Sequence, residues 1–346
     1  MSEVVINTRV LSAPTTGVQR YTREILSRLP GKLVPVSPKR FAHGIMGHLW
    51  EQIVLPQRIL RKPLFSPSNT GPLAVSRQVV VIHDIAPLDH PEWYNPRFSA
   101  FYSYLLPRLA RNVKKVITDS EFTRNRILEK MDVSPDKIKV VPLGVDSKFK
   151  PIAPVEVQDV IKQLGIPTRY YILSLGSLEP RKNLNRLLAS WKEIESAIPD
   201  EIWLVLAGAK GRAQVFNRLS LDSLPPRVHF TGHVPDELLP ALLGGALVFA
   251  YVSVYEGFGL PPLEAMASGT PVLAGNRASL PEVVGDAGML VDPFDIESIA
   301  SGLKELIDSR DLRSKLSLLG LQRAKLFSWE KTAQATWEQI SDAFKC

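Results

Sequence analysis

From Ala246 to Leu273 the chain reads ALVFAYVSVYEGFGLPPLEAMASGTPVL: an apolar run, a turn dense in glycine and proline, a short small-residue helix and a second apolar run. That order leaves few architectures open. Apolar runs without polar alternation suit strands buried on both faces, and a helix between two of them makes a parallel crossover. The loop and helix start then lie at the carboxyl edge of a sheet, where open α/β folds take ligands. The free N–H groups of the helix start favour an anion. Glu256 precedes the turn and Glu264 sits on the helix, so two carboxylates flank an anion site. A ligand carrying phosphates and several hydroxyls would suit both.

The same alternation runs along the whole chain. Strand signals stand at Val4–Ile6, Gln78–Ile82, Lys115–Asp119 and Ile138–Val141, with helices expected at about Val18–Leu29, Arg97–Arg111 and Glu121–Lys130. After a proline-bearing linker at Phe149–Pro154 the pattern restarts with Tyr170–Leu175, Trp203–Ala207, Val228–Phe230, Pro271–Ala274 and Met289–Val291. Three helices, Ile296–Ser309, Leu312–Phe327 and Trp329–Phe344, close the chain. Strands alternating with helices in both halves predict two parallel, doubly wound α/β domains. A chain of 346 residues is also too long for one typical core. Trp50–Leu60 reads as an amphipathic surface helix kinked near Pro56, with Ile53, Val54, Leu55 and Ile59 for either core packing or membrane contact.

The net charge of +7 is unevenly placed. Residues 1–155 hold 23 basic against 12 acidic side chains, and the remainder holds 19 against 23. A basic first half fits an anionic partner, whether lipid or phosphorylated substrate, or simply a solvated surface. Nucleic acid is not expected, because no binding motif accompanies the charge. One cysteine, Cys346, excludes a disulfide framework. With neither a signal-like start nor a membrane-length apolar run, the expectation is a cytoplasmic protein.

Several side chains are placed for chemistry. Arg181 and Lys182 follow a strand and precede a helix, a location for a diphosphate, although a basic pair there is often just solvated. Glu264 is suited to accept from a ribose diol and Glu256 from sugar hydroxyls; the alternatives are a solvated helix position and a surface turn. Gly257, Phe258, Gly259 and Leu260 offer backbone amides to a closely approaching ligand. His83 ends a buried strand, where a structural role is the commoner one. Thr15, Thr16 and Gly17 lie at a strand-to-helix turn and serve equally as a cap or as ligand contacts. There is no G-x-G-x-x-G after the first strand, no phosphate-loop lysine motif, no G-x-S-x-G elbow and no closed zinc set.

Taken together, TGVQRY, VIHD (Val81–Asp84), TDSEFTR, VPLGVD, GSLEPRKN, LVLAG, FTGHVPDELLP, EGFGLPPLEAMASGTPV and SLPEVVGDAGMLVDP resemble glycosyltransferase family four, retaining enzymes of the GT-B fold. The resemblance covers nearly the whole chain. It implies two Rossmann-like domains facing a central cleft: an acceptor-binding domain over 1–150 and a nucleotide-sugar-binding domain over 151–328. It also implies a final helix, 329–346, that crosses back to pack on the first domain. His83, Arg181, Lys182 and Glu256 match its catalytic positions, with the basic pair on the diphosphate and Glu256 facing the donor sugar. Gly17, Val234, Leu238, Phe258, Gly259, Leu260 and Glu264 match donor-contacting positions, Val234 and Leu238 where the base is held and Glu264 at the ribose. Two departures stand out: Ser177 rather than arginine follows Gly176, and Thr16-Gly17 replaces a double glycine.

The resemblance further implies transfer of a sugar from a nucleotide sugar to an acceptor hydroxyl with retained configuration. No cofactor or metal ion is expected, since Arg181 and Lys182 hold the electrostatic role. The overall look resembles bacterial mannosyltransferases of surface-polysaccharide assembly. This gives an expectation of GDP-mannose as donor, with UDP-glucose or a deoxysugar nucleotide as alternatives. The expected acceptor is a glycan or lipid-linked glycan, met peripherally at the inner membrane face through the basic first domain. Paired carboxylates are also the equipment of glycoside hydrolases, and a non-catalytic nucleotide-sugar-binding protein would keep the same fold. The phosphate-loop context of both carboxylates favours transfer.

Overall fold

The computed structural model describes residues 3–13, 16–39, 44–208 and 224–345. Thr15 and Cys346 lie outside the described residues. The chain divides into two compact units: one made of Met1–Pro91, Pro96–Gly144 and Phe327–Cys346, the other of Glu92–Asn95 and Val145–Leu326.

The first unit is built on six parallel strands: Val4–Asn7 (β1), Leu33–Val36 (β2), Leu64–Ser66 (β3), Gln78–Val81 (β4), Lys115–Thr118 (β5) and Ile138–Val140 (β6). Their spatial order is β2-β1-β3-β4-β5-β6. β1 and β4 are buried at every position, as expected of parallel strands covered on both faces. Leu106, Leu109 and Ala110 of helix Pro96–Asn112 and Ile127 of helix Glu121–Lys130 pack with Val80, Ile82, Val116 and Ile138. Burying each large aliphatic side chain there contributes about 1.5–3 kcal/mol. The Ser120 hydroxyl accepts from the Thr123 amide at 3.1 Å and caps the second of these helices.

The last helix, Trp329–Phe344, belongs to this unit, and so crosses back from the end of the chain. Trp329, Thr336 and Ile340 are buried. Tyr21 Oη lies 3.2 Å from Thr336 Oγ1, and the Thr332 hydroxyl donates to the Pro142 carbonyl at 2.8 Å. A Cβ on Gly144 would stand 2.1 Å from the Trp329 backbone nitrogen, so only glycine permits this approach.

The second unit repeats the plan: Tyr170–Leu175 (β7), Ile202–Ala207 (β8), Val228–Gly232 (β9), Val248–Tyr251 (β10), Val272–Gly275 (β11) and Met289–Val291 (β12). The order is β12-β11-β10-β7-β8-β9, again parallel throughout. Ile172, Leu204 and Leu273 from the strands meet Leu187 and Trp191 of helix Leu184–Ile194 and Leu303 of helix Ile296–Asp308. The Trp191 indole N–H finds the Pro226 carbonyl at 3.1 Å, which satisfies its one polar atom inside the core.

The anticipated elements are present with ends shifted by at most three residues. Three features differ. β2 and β3 are additional strands, the first partly exposed with a proline inside it and the second three residues long. The segment read as linker ends at the start of a helix, Pro154–Gln163, whose first residue is a proline, the helix position that needs no N–H. Trp50–Leu60 is part of a longer helical run: Gly44–Leu49, a π turn at Trp50–Val54, then Leu55–Ile59. The Leu55 amide reaches back to the Trp50 carbonyl just ahead of Pro56. Leu55 and Ile59 are buried, whereas Ile53 is exposed, so the single apolar face expected there is split.

Candidate active site

In the second unit the strand order reverses beside β7: β8 and β9 extend to one side and β10, β11 and β12 to the other. The carboxyl ends of β7 and β10 bound the crevice that such a reversal creates. From β7 comes the loop Gly176–Asn183, closing in a tight 3-10 turn at Pro180–Lys182. From β10 comes the loop that carries Glu256.

The two loops meet through charge. Arg181 Nη1 donates to Glu256 Oε2 at 2.8 Å and Lys182 Nζ to Oε1 at 2.7 Å. The Tyr251 and Ser253 hydroxyls reach the same Oε1 at 2.9 and 2.6 Å. Glu179 Oε2 accepts from Arg181 Nε at 2.8 Å. Two cations and two carboxylates therefore share one buried cluster. Burial by itself would raise the Glu256 carboxyl, but Arg181 and Lys182 outweigh it and hold the group at about 2. Burial, and then the neighbouring guanidinium, push Lys182 below the ordinary lysine range. For Arg181 burial acts against the charge and Glu256 with Glu179 more than compensates, so the guanidinium stays firmly protonated.

Backbone bonds fix these side chains. Asn183 adopts the left-handed conformation, which asparagine tolerates, and its Nδ2 donates to the Val252 carbonyl at 3.0 Å and the Pro293 carbonyl at 2.6 Å. The Val254 amide donates to the Arg181 carbonyl at 2.9 Å, and the Ser253 hydroxyl stands 2.8 Å from the same oxygen. Beyond Glu256, the Ser279 hydroxyl stands 2.9 Å from the Glu256 carbonyl and 2.7 Å from that of Phe258. Gly259, at φ +114°, turns the chain into helix Leu260–Ala267. Pro261 and Pro262 fall in its first turn, where no N–H is required. Glu264 lies buried on that helix and Phe258 is buried beside its start.

Val234 is buried and Leu238 half-buried on either side of a turn after β9, which the Leu238 amide closes onto the Pro235 carbonyl at 3.0 Å. These are at the same sheet edge, two strands from β7. Segment Glu92–Asn95 also groups with this unit, and the Trp93 ring meets Tyr255 edge-on at 6.3 Å.

Gly17 and His83 belong to the first unit. Gly17 is the first residue of helix Gly17–Arg28, and Thr16 is its cap: Gln19 Oε1 accepts from the Thr16 amide at 2.9 Å and from its hydroxyl. His83 follows β4 and is buried. Its Nε2 lies 3.0 Å from the Pro67 carbonyl, which can only accept, so Nε2 carries a proton. Its Nδ1 lies 2.6 Å from Asp119 Oδ2. Burial opposes the imidazolium, but Asp119 and the two ring bonds raise its pKa above the ordinary range. Burial raises Asp119 as well.

The anticipated Arg181, Lys182 and Glu256 are thus brought together, with Phe258, Gly259, Leu260 and Glu264 on the loop and helix that follow. Tyr251, Ser253, Asn183 and Asp119 were not anticipated in these roles. Only Ser253 offered a local signal, a polar residue inside an apolar run three before Glu256. Among the described residues, no group of three or more His, Cys, Asp or Glu side chains is gathered as for a metal ion.

Both halves of the chain match known family models. A family model described as glycosyl transferases group 1 matches residues 156–320, and one described as glycosyltransferase family 4 matches residues 66–149. The O-antigen chain mannosyltransferase B of Escherichia coli is 33% identical over 272 residues, 78% of this chain and 71% of that protein. The MMP alpha-(1->4)-mannosyltransferase of Mycolicibacterium hassiacum is 35% identical over 254 residues, 70% of this chain and 58% of that one. The serotype-specific mannosyltransferase WbdA of Escherichia coli is 29% identical over 270 residues, covering 76% of this chain but only 33% of WbdA. Among solved structures, Anabaena HepE in complex with UDP and glucose superposes with a TM-score of 0.79 at 17% identity, over 99% of this chain and 100% of the other. WaaG, a glycosyltransferase of lipopolysaccharide biosynthesis, gives 0.73 at 15% identity, over 98% and 99%. Fold and site together define a glycosyltransferase of the GT-B class. Within that class the chain belongs to glycosyltransferase family four.

Proposed function

We propose that this enzyme moves a hexose, mannose from GDP-mannose, to a hydroxyl of a lipid-linked glycan in surface-polysaccharide synthesis, with retention at the anomeric carbon. The observation that carries the reading is the convergence of Arg181 and Lys182 at the reversal point of the second sheet. The mannosyl choice is supported by the relatives named above, three of which are called mannosyltransferases.

In the proposed step the bond from the anomeric carbon to the diphosphate oxygen breaks, and its electron pair leaves with the diphosphate. Positive charge spreads to the ring oxygen. The acceptor hydroxyl bonds to the anomeric carbon on the same face, and its proton passes to the departing diphosphate oxygen. Negative charge develops on that diphosphate, which is where fixed cations act most strongly. Arg181 Nη2 makes no bond among the described residues, and the Lys182 ammonium has a third proton beyond those given to Glu256 and Tyr251. Glu264 would take the ribose hydroxyls, Glu256 the sugar, and Val234 and Leu238 the base. His83, with both ring nitrogens engaged, would contribute shape and charge on the acceptor side. Gly17 would let a ligand approach the first helix. No metal is needed in this scheme, so transfer should survive EDTA.

Calorimetry with GDP, UDP and dTDP, followed by transfer from GDP-mannose, tests the proposal. GDP should bind most tightly, and Lys182→Ala should lower kcat by about 10²–10³-fold. Tight UDP binding without GDP binding would end the mannose reading in favour of a UDP-sugar. Near-normal transfer by Lys182→Ala would remove the site assignment itself. Release of free sugar from glycosides without any nucleotide would indicate a hydrolase instead.

A further inference from the structure

The helical run Gly44–Ile59 buries Leu55 and Ile59 in the core yet also presents a row of large apolar side chains to the outside. Of thirteen exposed large apolar side chains among the described residues, five fall on this run and its end: Ile45, Met46, Leu49, Ile53 and Leu60. Ile45, Leu49 and Ile53 recur every four residues, so they share one face. The opposite face buries a carboxylate. Glu51 is fully inaccessible, and its Oε1 accepts from Asn7 Nδ2 at 2.7 Å, Thr70 Oγ1 at 3.2 Å and Arg9 Nε at 3.4 Å.

That burial has an electrostatic result. Between Glu24 and Asp84 the chain contains eight lysines and arginines and no acid except Glu51. With Glu51 withdrawn, Arg58 and Arg61 are exposed at the end of this run, where Lys62 pairs with Glu3 at 2.7 Å. Helix Pro96–Asn112 packs beside the run. His48 packs on Phe101 with ring centroids 4.6 Å apart, and Tyr104, exposed, follows on the same side with the Arg108 guanidinium 3.8 Å over its ring. An exposed apolar row of this size marks an interaction surface rather than scattered solvent contacts. Cations at the rim and a tyrosine at the boundary fit an anionic lipid surface.

We propose that this face docks on a bilayer of anionic phospholipid, with Ile45, Leu49 and Ile53 inserted at the headgroup boundary and Arg58 and Arg61 on the lipid phosphates. The proposal deepens the lipid-linked acceptor reading, and it rests on that reading only for its purpose. Docking itself needs no donor and no transfer.

Flotation of the full chain with vesicles of phosphatidylcholine, with and without phosphatidylglycerol, tests it. The protein should float with the anionic vesicles and stay behind with the neutral ones. Ile53→Asp and Leu49→Asp should each weaken anionic-vesicle binding about tenfold or more. Arg58→Gln should weaken it about fivefold in dilute salt and little in concentrated salt. Leu318→Asp, an equally exposed apolar position on helix Arg310–Ala324, should change nothing. Unchanged thermal midpoints establish that the variants are folded, and the two aspartate variants check each other. Failure of the parent protein to bind anionic vesicles overturns the proposal, as does equal binding by both aspartate variants. So does a dimer in sedimentation that those variants dissociate while vesicle binding persists. Transfer to a soluble acceptor analogue should be the same in parent and Ile53→Asp. Lost transfer in both, with vesicle binding intact, would count against the transferase reading and leave the docking face standing.

Discussion

Glu256 is the residue on which the second unit's chemistry turns. A lone carboxylate in that turn would be an ordinary surface acid; here it bridges the two cations of another loop. Because its folded pKa is depressed, its contribution to stability is fully present above about 4.5, the unfolded value, and is lost as pH falls through about 2. The size is on the order of 3 kcal/mol. Glu256→Gln should therefore be less stable than the parent by about that amount at pH 7, with the gap closing as acid is added. Urea unfolding at several pH values measures it, and a gap independent of pH would contradict the ion-pair account. His83 runs the other way. Its raised pKa adds stability fully present below its ordinary value near 6.5 and lost as pH rises through the folded value. In Asp119→Asn burial is opposed by the Pro67 bond and the charge of Asp84, and burial, the largest of the three, should win. The His83 ring should then titrate below 6.5 by NMR instead of above it; an unmoved titration would mean that Asp119 does not hold the proton. Neither pairing was legible in the sequence. His83 and Asp119 are 36 positions apart and Lys182 and Glu256 are 74 apart, so only strand order makes them neighbours.

At the level of elements, long apolar runs and capped helices were readable because local pattern and tertiary burial agree there. β3 was not, since three residues show no period, and β2 was hidden by its proline and its exposed positions. The start of helix Pro154–Gln163 was mistaken for linker because proline both breaks helices and begins them. The split of Trp50–Leu60 follows from spacing, since Ile53 and Leu55 are two residues apart and fall on opposite sides of a helix; the π turn at Trp50–Val54 carried no local signal. Glycines were read mainly as turn signals, yet Gly144 serves packing. Its absent side chain makes room for the backbone of Ser328 and Trp329, at 2.4 and 2.1 Å from where a Cβ would be. Gly144→Ala should cost about 3 kcal/mol or more, since backbone on both sides must move. Gly259→Ala should cost less, about 1–3 kcal/mol: its φ is strained for alanine, but the atom it meets is the end of the Leu280 side chain, at 2.9 Å. Chemical denaturation of the two variants ranks them, and a neutral Gly144→Ala would refute the close-approach account.

At the scale of the molecule, each sheet reverses its strand order once, beside β1 in the first unit and beside β7 in the second. Among the described residues the paired cations Arg181 and Lys182 stand at the second crevice, so nucleotide should act on the second unit's stability. A saturating nucleoside diphosphate at a hundred times its Kd should add about 2.7 kcal/mol to unfolding, seen as a higher thermal midpoint. Lys182→Ala should abolish most of that rise; a full rise in the variant would place the nucleotide elsewhere. The two-domain α/β plan was visible in the alternation of strands and helices. The membership of helix Trp329–Phe344 in the first unit came from resemblance, because nothing in an amphipathic helix names its partner.

That last helix has a consequence for how the protein is made. Tyr21 leaves the ribosome 315 residues ahead of Thr336, which with Trp329 packs against it. The second unit is continuous in sequence from Val145 to Leu326 apart from four residues supplied earlier. Synthesis thus delivers every part of the second unit before the first is complete. The half translated first must wait, partly uncovered, for the final helix, and a nascent chain stalled before Trp329 should be held by chaperones through the first half alone.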